Sequence, residues 1–173
     1  MFALTEMALQ LTIGALALGY AVKNNNDAID TVMAEGTGQY MTMVQGAVNT
    51  YVFDNFSVLS TSDDTALTLT AGTAVQPTSA LVEHPLQPTV EDLKALKLLP
   101  AGFNNVSPLK LTFATTLVPT NCPSTDCVIP GLMYSTQGYE DTSGRLRIDL
   151  LAQVVANAGA DAGVSYAENP GTI

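Results

Sequence analysis

The chain has 173 residues, with 16 Asp and Glu against 6 Lys and Arg, a formal net charge of −10, and 47% hydrophobic residues. Its length and apolar content suffice for one folded domain with a core of its own. So few cations exclude nucleic-acid binding through a basic patch, because neutralising phosphates needs clustered Lys and Arg; the charged fraction of 13% leaves solubility largely to hydroxyls and amides.

Residues 2 to 22 form an apolar stretch containing one carboxylate, Glu6. At helical rise the stretch spans roughly 30 Å, about one hydrocarbon core. No Lys or Arg precedes Lys23, which argues against a secretory signal peptide, since that needs a basic start. A plain membrane anchor is the simpler alternative. An ionised side chain in such a segment is costly in lipid, asks for a partner and marks a function.

The run Phe2-Ala3-Leu4-Thr5-Glu6, followed at once by the apolar helix, resembles the mature N terminus of type IV pilins. In that family a prepilin peptidase removes a leader, the new first residue, often Phe or Met, is N-methylated, and the fifth residue is Glu. The resemblance implies assembly residues Glu6, Phe2 and Met1, and a filament core built from Leu4, Leu9, Leu11, Ile13, Leu16 and Leu18. Glu6 of one subunit would pair with the terminal ammonium of its neighbour, each charge offsetting the desolvation of the other. Counted from Phe2 the glutamate is fifth, and counted from Met1 it is sixth, so the mature terminus stays open between the two.

After the polar cluster Lys23 to Asp27, apolar residues return at Ala28, Ile29, Val32, Met33, Tyr40, Val44, Ala47, Val48, Tyr51 and Val52, close to the 3.6-residue period. This predicts one helix over 1–55, with residues 2–22 as the membrane and filament-core part and 23–55 as the amphipathic part, followed by a globular head over 56–173. Gly14, Gly19, Gly36 and Gly38 lie inside the helix, each at a cost of up to about 1 kcal/mol relative to Ala. Small residues allow close approach of helices and also local unwinding. With no proline in the helix, unwinding in a filament would rest on Gly14, Gly19 and the Asn run.

In the head, Thr65 to Thr70 alternates and predicts a strand with Leu67 and Leu69 on one face. Gln76 to Pro88 carries three prolines and is expected to be a loop. Thr89 caps a helix running to about Leu98, with Asp92 at the capping-box position and Glu91 as a second first-turn acid. Leu109 to Val118 alternates strongly, placing Leu109, Leu111, Phe113, Thr115 and Leu117 on one face, with Val128 to Ser135 as its antiparallel partner. Between them, Cys122 and Cys127 enclose a short loop containing Pro123. In an exported protein this pair predicts a disulfide that stiffens a surface turn; two free thiols or half a metal site are the alternatives. Thr136 to Ser143 is expected to be a loop, Gly144 to Ala158 a helix with Leu146, Leu150, Leu151, Val154 and Val155 inward, Gly159 its terminator, and Tyr166 to Ile173 extended.

The head is also similar to the constant region of shufflon-type conjugative pilins. The similarity lies in Leu99-Pro-Ala-Gly-Phe103, in the apolar segment after Ser107-Pro108, in Thr136-Gln-Gly138 leading to a helix, and in Ala158 to Gly163 with Val164-Ser-Tyr166. In that family the chain continues into a variable receptor-binding part. Here it stops at Ile173, so either a further part is missing or the head serves as a filament subunit without an adhesin.

Catalysis is not expected. The sole histidine, His84, stands between Glu83 and Pro85 in a loop, with no convergent nucleophile and orienter. One His and two Cys are too few for a structural zinc site, no phosphate-binding glycine loop is present, and no cofactor is expected. Asp63-Asp64 and Glu140-Asp141 are solvated turn acids before they are calcium ligands, and Arg145 and Arg147 are exposed or partners for acids of an adjacent subunit. The expected fold is α+β, a long N-terminal helix packed against a mostly antiparallel sheet. The expected function is a structural pilin, held in the inner membrane before assembly and then polymerised with itself into an extracellular pilus. Its other partners would be membrane lipid, the assembly machinery and a host or recipient cell surface. A minor or tip adhesin, and a non-polymerising anchored binding protein, are the alternatives.

Overall fold

From Phe2 to Leu59 the chain contains no proline, and the computed structural model places this whole stretch in one helix, α1. The structure describes residues 2–72, 76–140 and 144–165, with side chains from Asn26 onward. At 58 residues, α1 is about 87 Å long. Its backbone stays helical through Gly14, Gly19 and Asn24 to Asn26. The non-helical angles inside it fall at Asn55 (φ −114°, ψ 16°), the point at which the sequence predicts the end; a short continuation reaches Leu59.

The head is α+β. Strands β1 (Leu67–Ala71) and β2 (Thr78–Val82) form one antiparallel pair, helix α2 covers Val90–Ala95, strands β3 (Phe113–Leu117) and β4 (Gly131–Ser135) form a second antiparallel pair, and α3 covers Ile148–Ala158. The expected sheet is thus two separate hairpins, joined where the Leu117 amide donates to the Leu86 carbonyl at 2.7 Å. Strand β2 lies where a loop was expected: Pro77 and Pro85 flank the strand and do not interrupt it, leaving its amides free for the ladder.

Two apolar clusters hold these pieces to α1. Tyr40, Val44, Val48, Tyr51 and Leu59 of α1 pack with Leu69, Val82, Leu93, Leu96, Leu99 and Leu117. Nearer the N terminus, Ala34 packs with Leu109, Leu111, Leu150 and Val154. The predicted inward face of Leu109 to Leu117 is buried or half-buried, but residues 109–112 are not strand. Lys110 takes a positive φ of 59°, and Ser107 closes a tight turn by bonding the amides of Lys110 and Leu111. The wholly buried Thr37 hydroxyl receives the Leu109 amide at 3.1 Å and donates to the Met33 carbonyl, so the turn is fastened to α1.

Local chemistry sets the other boundaries. Thr89 and Asp92 form the predicted capping box, but α2 stops at Ala95 because Lys97 takes a φ of 59° and the Leu98 and Leu99 amides fold back onto the Leu93 carbonyl. Helix α3 begins at Ile148, later than the pattern suggests, because Leu146 is bridged to Glu140 and the Arg147 amide donates to the Tyr139 carbonyl. Leu146 is accordingly exposed. Gly159 terminates α3 with a positive φ of 115°. The extended segment expected at Tyr166 to Ile173 lies outside the described residues.

Helix α3 approaches α1 at Gly38, where an added Cβ would stand 2.6 Å from Asn157 Cβ and 2.8 Å from the Val154 carbonyl oxygen. Gly46, by contrast, faces open space, with nothing within 4 Å of an added Cβ. In thermal or denaturant unfolding, Gly38→Val should destabilise the protein by about 2–3 kcal/mol through overpacking, while Gly46→Ala should stabilise it by about 0.5–1 kcal/mol. Equal effects at the two positions would contradict the close approach.

Candidate assembly surface

The side chains of Met1, Phe2, Leu4, Glu6, Leu9, Leu11, Ile13, Leu16 and Leu18 lie outside the described residues, so the site is built from the amphipathic half of α1 and the head. Among the described residues no helix is long and apolar enough to cross a membrane.

The ties described between α1 and the head begin at Asp30. Arg147, at the start of α3, donates from Nη1 to Asp30 Oδ2 at 3.1 Å, and from Nε and Nη2 to the carboxylate of Asp149. The expectation that Arg147 serves an adjacent subunit is therefore replaced by an ion pair within the chain. Its hydrogen bonds to Asp149 hold that carboxyl below the usual aspartate range. Further along, Tyr51 is fully buried and donates to the Pro85 carbonyl at 2.8 Å. Burial first, then the nearby charges of Asp92 and Asp64, push its phenol above the ordinary value. At the end of the helix Asn55 donates to the Tyr51 carbonyl and accepts from the Thr70 amide, while Asp54 accepts from the Gly72 amide, fixing β1 to α1.

These ties occupy one side of α1. On the other side Ile29, Val32, Gln39, Met43, Gly46, Thr50 and Phe53 follow at intervals that keep them on one helix face, and all are exposed. Val32 is 67% and Phe53 83% exposed. The run from Gly36 to Phe53 contains no Asp, Glu, Lys, Arg or His, in a chain of net charge −10. Ile29 and Val32, which the periodic pattern placed with the buried set, belong to this outer face, because the head closes over α1 only from about Ala34.

The second hairpin has two faces. Phe113, Thr115, Leu117 and Met133 point toward α1, where Phe113 lies 5.8 Å from the Tyr40 ring. An open cleft of about 690 Å³ separates β4 from α1 and α3, lined by Met41, Val48, Met133, Leu151 and Val155 and by the segment after α3. Ala114, Thr116, Leu132 and Tyr134 point outward. The register continues through the Thr120–Val128 bridge to the Cys122–Cys127 disulfide, which closes the end of the hairpin.

Other candidates are accounted for by internal bonds. His84 is exposed, with Nδ1 3.4 Å from Asp64 Oδ2. Asp64 accepts from the Leu86 amide and Gln87 Nε2, and Asp63 accepts from Thr65; among the described residues no cluster of three or more His, Cys, Asp or Glu could hold a metal ion. Asp141 lies outside those residues. Two residues of the short head motifs, Phe103 and Pro108, pack onto α1: Phe103 stacks on Tyr40 at 4.9 Å, and Pro108 Cγ would stand 3.1 Å from a Cβ at Gly36. No protein-family model, curated protein or solved structure matches this chain.

Because the Asp149 carboxyl is depressed in the fold, its contribution is present above the unfolded value near 3.8 and is lost as pH falls through the folded one. Arg147→Ala should therefore flatten acid unfolding below about pH 4 and, with Asp149 largely in solvent, cost only about 0.5–1 kcal/mol at neutral pH; an unchanged acid limb would contradict the tie. Tyr51 acts with the opposite sign. Its raised phenol contributes fully below pH 10.0 and loses that contribution as pH climbs toward the folded value. Tyr51→Phe should cost about 1–3 kcal/mol at pH 7 by orphaning the Pro85 carbonyl, and should make stability less sensitive to pH above 10.

Proposed function

We propose that this chain is a pilin-like structural subunit that polymerises with itself into an extracellular filament, its N-terminal helix forming the filament core. The observation that carries the reading is the 58-residue helix tied to its head from Asp30 onward. A helix about 87 Å long is far more than a head of this size needs for its core. Its remaining length requires another surrounding, and residues 2 to 22 have the composition for an apolar one.

The physical sequence is transfer between two apolar environments. In the inner membrane, residues 2 to 22 lie among lipid tails. In the filament the same residues lie among the helices of neighbouring subunits, so the hydrophobic effect need not oppose extraction. Glu6 supplies what apolar contact lacks, a directional partner in the neighbour's terminal ammonium, which sets the stagger between subunits. Prepilin peptidase and the assembly machinery act before and during this transfer. The pilin-like fold extends the same reading, with the two hairpins and α3 forming the head that backs onto the amphipathic half of α1.

Glu6→Leu tests the proposal. The variant should stay folded and membrane-bound but yield few or no sheared surface filaments, and the wild-type N terminus should be methylated. Normal filament yield from Glu6→Leu would remove the pairing. Filaments built from another protein, with this chain present in few copies, would favour the tip-adhesin alternative.

A further inference from the structure

The β3–β4 hairpin turns Phe113 and Met133 toward α1, and each of the two elements carries on its other side a stretch of exposed surface without charged side chains. On α1 the stretch is Gln39, Met43, Gly46, Thr50 and Phe53, within the run from Gly36 to Phe53 that has no charged residue; the exposed acid Glu35 stands just before it. On the hairpin it is Val118, Val128, Leu132 and Tyr134, each about half exposed, on the side opposite Phe113, Thr115 and Met133. Between Phe113 and Ser135 the sole acid is Asp126, in the disulfide loop beyond this face.

We infer that these two faces meet, the hairpin of one copy lying on the outer face of α1 of the next. This rests on the polymeric reading above and specifies its contact outside the N-terminal helix. Electrostatics select the faces. Copies carrying a net charge of −10 repel one another, and the repulsion is least where surfaces without acids approach. Charge-free apolar surface is also released from water on contact.

Geometry selects the order of assembly. A patch that pairs with itself closes into a two-fold dimer, whereas two different patches on one molecule can build an open chain. Gly46 fits the same arrangement. It sits exposed in the middle of the α1 face with no side chain to hold the hairpin off, although Gly there costs the isolated helix up to about 1 kcal/mol. The two faces are small. Their few residues fall short of the roughly 20–30 a side of a stable pair, so the contact fixes the register of heads already gathered by the N-terminal helices and does not gather them itself.

The experiment uses the full chain in cells that assemble it, with sheared filaments quantified for Met43→Lys, Leu132→Glu and the double variant. Both positions are exposed, so the single variants should match the wild type in unfolding. Each should lower filament yield at least about tenfold, because an unpaired charge is trapped in an apolar contact. The double variant should recover much of the loss by pairing Lys with Glu across the contact. Unchanged yield in both single variants would overturn the contact while leaving polymerisation intact. Losses without recovery in the double variant would show that the faces do not oppose each other, and isolated two-fold dimers would show that each pairs with itself. A wild-type chain absent from filaments would overturn both the contact and the polymeric reading.

Discussion

One stripe of one helix organises this molecule. Tyr40, Val44, Val48 and Tyr51 bury the inner side of α1, and both hairpins and α2 are assembled around them. The stripe alone would leave the head free to slide along a uniform cylinder. Specific polar ties prevent that: Thr37 to the Leu109 amide, Tyr51 to the Pro85 carbonyl, Asn55 to the Thr70 amide, and Arg147 to Asp30. Each joins α1 to a different segment of the head, so apolar burial supplies the attraction and the hydrogen bonds supply the register. Buried polar groups of this kind are costly when unpaired, which is why they discriminate between registers.

A helix used in this way has two incompatible demands around its circumference. The inner face needs large apolar residues and a close-packing glycine, Gly38, beneath α3. The outer face would be expected to be charged in a solitary soluble protein, yet between Gly36 and Phe53 it is not. Exposed Ile29, Val32, Met43 and Phe53 make sense when the helix is considered as shared by more than one subunit. The same logic applies along its length, where residues 2 to 22 carry an apolar composition that a single head cannot cover.

Much of this was legible in the chain. The absence of proline up to Asn55, the return of apolar residues at helical spacing and the capping box at Thr89 and Asp92 each correspond to a backbone feature that depends on nearby residues alone. The pairing of Cys122 with Cys127 is present as expected. The misses were decided by longer-range contacts or by backbone angles that composition does not announce. Lys110 and Lys97 adopt positive φ values without being glycine, and they end a predicted strand and a predicted helix. Strand β2 owes its existence to pairing with β1, and its prolines, read as breakers, proved to be its boundaries. Arg147 gave no sign of its partner because Asp30 is 117 positions away. The assembly role proposed for Glu6 rests on resemblance alone, since a lone carboxylate in an apolar run states a need for a partner without naming it.

The central claim is that α1 is shared among subunits of a filament, and cryo-electron microscopy of filaments sheared from cells producing the chain tests it most directly. The account predicts a helical repeat of this subunit, with Glu6 beside the terminal amine of a neighbour and residues 2 to 22 packed at the filament axis. Filaments composed of another protein, or a repeat of this chain in which Glu6 faces solvent and α1 contacts only its own head, would contradict it.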